Sequence, residues 1–145
     1  MIGGTLLLVH GELLVTGDTE ITGDIAGGID ADITIDAGGA SRVFSIVSGT
    51  ATLNGLIMTG GDSSCGCGPA AAYHGGAVSV GAYFHAGYAN VTISNSQVRN
   101  SFAYYGGGIS VDTGSSLRLL NTTVTGNDAD IGGAIAVNPG ATPRN

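Results

Sequence analysis

Residues 91–111 read VTISNSQVRNSFAYYGGGISV, and residues 117–137 read LRLLNTTVTGNDADIGGAIAV. A shift of 26 positions lays one over the other. Ile93 falls on Leu119, Asn95 on Asn121, Val98 on Val124, Gly107 on Gly133, Ile109 on Ile135 and Val111 on Val137. A gapless internal repeat of this length signals a stacked architecture. Each copy offers three short segments rich in Val, Ile, Leu and Thr: Val91–Ser94, Ser96–Arg99 and Gly108–Val111, then Leu117–Leu120, Thr122–Thr125 and Ala134–Val137. Their apolar residues alternate with small or polar ones, as strands require. The connections hold Asn, Gly, Asp and Ser, which accept tight or left-handed corners. No window keeps a 3.6-residue apolar period. The pattern predicts an all-β chain with three strands and three corners per coil of a parallel β-helix.

Working outward, Leu53 aligns with Ile93 and Leu119, and Met58 with Val98 and Val124. A third column is expected to hold Leu7, Phe44, Val78, Ile109 and Ile135, giving about five coils in one domain over residues 1–145. The middle coil carries two insertions, 60–74 and 81–90, and residues 138–145 form a tail. Seven of the eight aromatic residues fall between Tyr73 and Tyr105: Tyr73, Tyr83, Phe84, Tyr88, Phe102, Tyr104 and Tyr105. Insertions in solenoids tend to mark a binding face. Tyr73, Tyr83, Phe84, Tyr88, Tyr104 and Tyr105 are therefore candidates for contact with a glycan or a protein, or rings that pack the loops onto the rod.

Glycine supplies 27 residues, yet hydrophobic residues reach 43%, so a packed core is expected. The net charge is -7, all four basic residues are arginines, and only 10% of the chain is charged. That balance argues against nucleic acid or an anionic membrane as partner. No apolar run is long enough to span a bilayer, and no secretory signal follows Met1. The chain reads as a mature or excised piece, or one whose export route is not written in these residues.

Gly75-Gly76-Ala77-Val78, Gly107-Gly108-Ile109 and Gly132-Gly133-Ala134-Ile135 resemble the GGA-[ILV] element of bacterial right-handed parallel β-helix proteins, among them the polymorphic outer-membrane protein repeats. The run Gly11–Val15, Ile21–Gly23, Ile33–Asp36, Ser41–Phe44, Leu53–Leu56 and Thr59–Gly61 is similar to their opening coils. The resemblance implies a single right-handed β-helix in an exported surface or extracellular protein of adhesive or structural kind. It also brings in carbohydrate-active β-helix enzymes, lyases and glycosidases, as the rival reading.

Hydrolysis of a glycosidic bond needs two carboxyl groups about 5–9.5 Å apart on one face. The Asp residues instead gather at Asp24, Asp30, Asp32 and Asp36 and at later corners, where Asx-type turns explain them. No catalytic residue is assigned and a non-enzymatic protein is expected. Asp24, Asp30 and Asp32 are calcium candidates, since an oxygen-rich Gly/Asp loop suits that ion. Cys65 and Cys67 are disulfide candidates, within or between chains; His74 and His85 could join them on a metal. Asn90 and Asn121 head glycosylation patterns, but Asn121 repeats Asn95, which favours a stacked amide ladder. Finally, Leu6, Leu7 and Leu8 at one end and Ile135 and Val137 at the other lack a polar cap, so head-to-tail assembly of the chain with itself is expected.

Overall fold

The computed structural model describes residues 3–24, 31, 33–64, 73–81 and 87–138. In chain order the strands are β1 (Gly4–Leu7), β2 (Leu13–Val15), β3 (Thr19–Thr22), β4 (Ile33–Asp36), β5 (Phe44–Ile46), β6 (Gly49–Asn54), β7 (Leu56–Thr59) and β8 (Val78–Val80). They continue with β9 (Ala89–Ser94), β10 (Gln97–Arg99), β11 (Phe102–Tyr105), β12 (Ile109–Val111), β13 (Ser116–Leu120), β14 (Thr123–Thr125), β15 (Asp128–Ile131) and β16 (Ile135–Val137). Among the described residues there is no helix.

All pairing is parallel and runs between coils. Sheet A stacks β1, β4, β7, β10 and β14; sheet B stacks β2, β5, β8, β12 and β16; sheet C stacks β3, β6, β9 and β13. The chain is a parallel β-solenoid of about four turns, slightly fewer than the five coils expected.

The repeat register holds. Leu53, Ile93 and Leu119 pair in one column, and Met58, Val98 and Val124 in another. The N-terminal member of the third column is Leu13, not Leu7: Leu13 pairs with Phe44, followed by Val78, Ile109 and Ile135. Leu7 instead pairs with Asp36 in sheet A, and its neighbour Leu6 joins the bore column of Ile35, Met58 and Val98. Successive strand residues face opposite sides, so a one-residue slip exchanges bore and surface.

A second correction concerns the cross-section. Two lower coils have a fourth side, sheet D, in which β11 pairs with β15. The alternation Phe102-Ala103-Tyr104 puts the small residue inward and the rings outward. Insertion 60–74 interrupts this side: Asp62 bridges to Phe102 and His74 to Tyr105, with the extra residues between those two anchor points. Insertion 81–90 is shorter than expected, since β9 already begins at Ala89 and Asn90 pairs with Ser116.

Corners explain the glycine and asparagine content. Gly55, Asn95 and Asn121 stack at one corner with φ of 69°, 48° and 46°. Gly60, Asn100 and Gly126 do the same at the next with φ of 65°, 51° and 63°. Only Gly, and next to it Asn, tolerates this left-handed backbone. The expected amide ladder is present: Asn121 Nδ2 donates to Asn95 Oδ1 at 2.9 Å, and Asn95 Nδ2 donates to Asn54 Oδ1 at 2.9 Å. Buried Ser96 and Ser101 close the same corners by accepting the backbone N–H of Leu56 and Gly61. Phe44, Ile46, Leu53, Leu56, Met58, Ile93 and Ile109 fill the bore between them.

Candidate functional site

Sheet D gathers part of the aromatic cluster onto one strip. Tyr105 N donates to Tyr73 O at 2.8 Å, which sets Tyr73 beside Tyr104 in the next coil. Tyr73 is 51% exposed and Tyr104 42%, and Phe102 is also exposed. The register places Asp128 beside Phe102 and Asp130 beside Tyr104, both exposed. The strip therefore runs from rings to carboxylates along the solenoid axis. Tyr105 is held differently, stacked on His74 at 4.9 Å and edge-on to Tyr104 at 4.7 Å.

Tyr88 is separate from this strip. It precedes β9 at the corner of sheets B and C, and its ring lies where a Cβ on Gly114 would come within 2.3 Å. Tyr83 and Phe84 lie outside the described residues, as do Asp30, Asp32, Cys65, Cys67 and His85. Of the calcium candidates only Asp24 is described; its backbone N–H is bonded to Thr22 Oγ1 at 3.3 Å. Asn90 is exposed and its Oδ1 accepts from Ser116 Oγ, while Asn121 belongs to the amide ladder. An open groove of about 340 Å³ lies on the outer face of sheet C, lined by Thr50, Asn90, Thr92, Ser116 and Arg118.

Beside sheet B lies a buried polar cluster that the sequence reading did not assemble. Arg42 donates from Nη1 to Glu12 Oε2 at 2.8 Å and from Nε to Gly75 O at 2.9 Å. Asp112 is 3% exposed; its Oδ1 accepts from Asn138 Nδ2 and stands 4.0 Å from His74 Nδ1. Asp112 Oδ2 has no hydrogen-bond partner among the described residues. Burial pushes the Asp112 carboxyl up from its ordinary range, against the Asn138 bond and the Arg42 charge. Burial, and then the Arg42 charge, push His74 down from its ordinary value, which favours the neutral ring. A signal for part of this was present: Asp112 and Asn138 are 26 residues apart, the repeat length. Nothing in the repeat foretold His74, because it closes an insertion.

No protein-family model, curated protein or solved structure matches the chain.

The Asp112 carboxyl has a testable consequence. A group whose folded pKa is raised holds its proton more tightly in the native state. Its cost to stability is absent below the unfolded pKa and grows as pH rises through the folded one. Asp112→Asn removes that cost and keeps an oxygen for Asn138. The variant should be most favoured relative to wild type near pH 7, and that difference should shrink toward pH 4. The slope cannot exceed about 1.4 kcal/mol per pH unit for one proton. Urea unfolding of both chains across this range measures it; a difference independent of pH would refute the buried, charge-disfavouring reading.

Proposed function

We propose that this chain is a non-enzymatic structural or adhesive β-solenoid of the extracellular space or cell surface, and that its rods join end to end with further copies of themselves. The observation that carries the reading is the exposure gradient along the bore columns. Leu6 is 51% exposed, whereas Ile35, Met58 and Val98 in the same column are buried. At the other end Val137 is 49% exposed, whereas Val80 and Val111 are buried. Leu8 is itself buried, and Leu7 faces outward beside Asp36, so the joint rests on Leu6, Ile135 and Val137. Among the described residues no further strand pairs with β1, β2 and β3 at one end or β13, β14 and β16 at the other, and open strand edges recruit other strands. A contact between two unlike ends propagates instead of closing. Extracellular placement rests on the resemblance of the Gly-Gly corners to exported β-helix proteins.

Sedimentation velocity over a concentration series tests the joint. The wild-type chain should form rods that lengthen with concentration. Leu6→Lys puts a charge into the apolar joint and should hold the chain as a monomer at the same concentrations. A wild-type chain that remains monomeric throughout the series would remove self-assembly from this reading.

A further inference from the structure

We propose that the outer face of sheet D is a docking strip for an extended basic peptide, one of whose lysine or arginine side chains crosses Tyr73 and Tyr104 to end on Asp130 while the next crosses Phe102 to end on Asp128. This surface is lateral, and it goes beyond the end-to-end joint. The backbone bond from Tyr105 N to Tyr73 O puts Tyr73 and Tyr104 in register on neighbouring coils, and both side chains are about half exposed. Aromatic faces attract ammonium and guanidinium groups, and a carboxylate beside the ring adds its own attraction for the same cation. Asp128 and Asp130 stand next along the axis and form no ion pair among the described residues.

The protein has little of its own to offer them. It has no lysine, and of its arginines Arg42 is buried, Arg99 belongs to sheet A and Arg118 to sheet C. Arg144 lies outside the described residues. A second copy, with the same net charge of -7, would be repelled from this face, as would a nucleic acid. Rings alone would suit a sugar. The carboxylate pair beside them favours a cation. Spacing selects the form of the peptide: Asp128 and Asp130 are two residues apart on one strand face, about 6.6–6.8 Å. An extended peptide presents alternate side chains at the same interval, so cations at every second position meet both carboxylates.

The probe is a fluorescent peptide of alternating lysine and threonine, titrated at low salt and followed by anisotropy. Its lysine-acetylated twin is the first control. Tyr73→Leu with Tyr104→Leu, which changes no charge, should weaken binding about tenfold. Asp128→Asn with Asp130→Asn should weaken it by at least as much, and the acetylated peptide should not bind. Glu20→Gln, an equal charge change per site on exposed sheet C, should alter affinity less than about twofold. Quenching of the wild-type tyrosine emission by the peptide gives a second readout where a variant folds poorly. The proposal fails if Glu20→Gln weakens binding as much as the Asp variants, which would mean diffuse charge attraction. It fails equally if the acetylated peptide binds as tightly. Binding of neutral oligosaccharides, lost in the Tyr variant, would reassign the strip to a glycan.

Discussion

A Gly76→Ala chain is expected to lose its cooperative unfolding transition, although the substitution adds one methyl group. A Cβ at Gly76 would sit 2.2 Å from Gly107 O, 2.5 Å from Phe102 O and 2.7 Å from Phe102 N. All three are backbone atoms of the following coil, and coils held at the strand spacing have no slack to give. Relief requires the two coils to part and break their ladder, which places the cost at or above about 4–5 kcal/mol, the exceptional end for one substitution. The chain supplies its own control. Gly133 occupies the same place in the same Gly-Gly motif one repeat past Gly107, yet a Cβ there meets nothing within 4 Å. Gly133→Ala should change stability by less than about 0.5 kcal/mol at concentrations where the chain is monomeric. Thermal melts followed by circular dichroism compare the two. Equal tolerance of both would mean that the coils are not packed as described.

Ile109→Ala is expected to cost about 2–5 kcal/mol. Ile109 is fully buried in the bore, between Val78 and Ile135 in its column. Truncation removes transfer free energy and leaves a cavity that rigid neighbouring coils cannot collapse into. Ile135→Ala, one level further along and only partly buried, should cost about 1–2 kcal/mol. Urea denaturation should show the midpoint falling with an unchanged slope. An Ile109→Ala chain that melts within a degree of wild type would show the register to be wrong.

The two gapless repeats made half of the fold legible. Once Ile93 lay on Leu119 and Val98 on Val124, parallel stacking and the inward columns followed, and the Asn95–Asn121 ladder with them. The N-terminal coil lacked that help. Three consecutive leucines carry no alternation, so the sequence could not say whether Leu6 or Leu7 faces the bore; pairing of Leu6 with Ile35 decides it. Sheet D was hidden for another reason. Asp128–Ile131 is polar enough to read as a corner, and only its pairing with Phe102–Tyr105 makes it a strand. For the candidate site, the aromatic clustering was visible, but its division between the sheet D strip and Tyr88 on Gly114 was not. The Arg42, His74 and Asp112 cluster joins three coils across an insertion. Such contacts follow from closure of the solenoid and have no periodic signature.

Because every sheet runs from coil to coil, the molecule is wound like thread on a spool, and tension on the thread would release it one winding at a time. The windings differ in length. Gln97 pairs with Thr123 across 26 residues, but with Ile57 across 40, the difference being the insertions. At roughly 3.5 Å per extended residue these windings would pay out about 90 Å and 140 Å of contour. A rod under shear would thus yield in unequal steps, with the middle winding giving the longest extension.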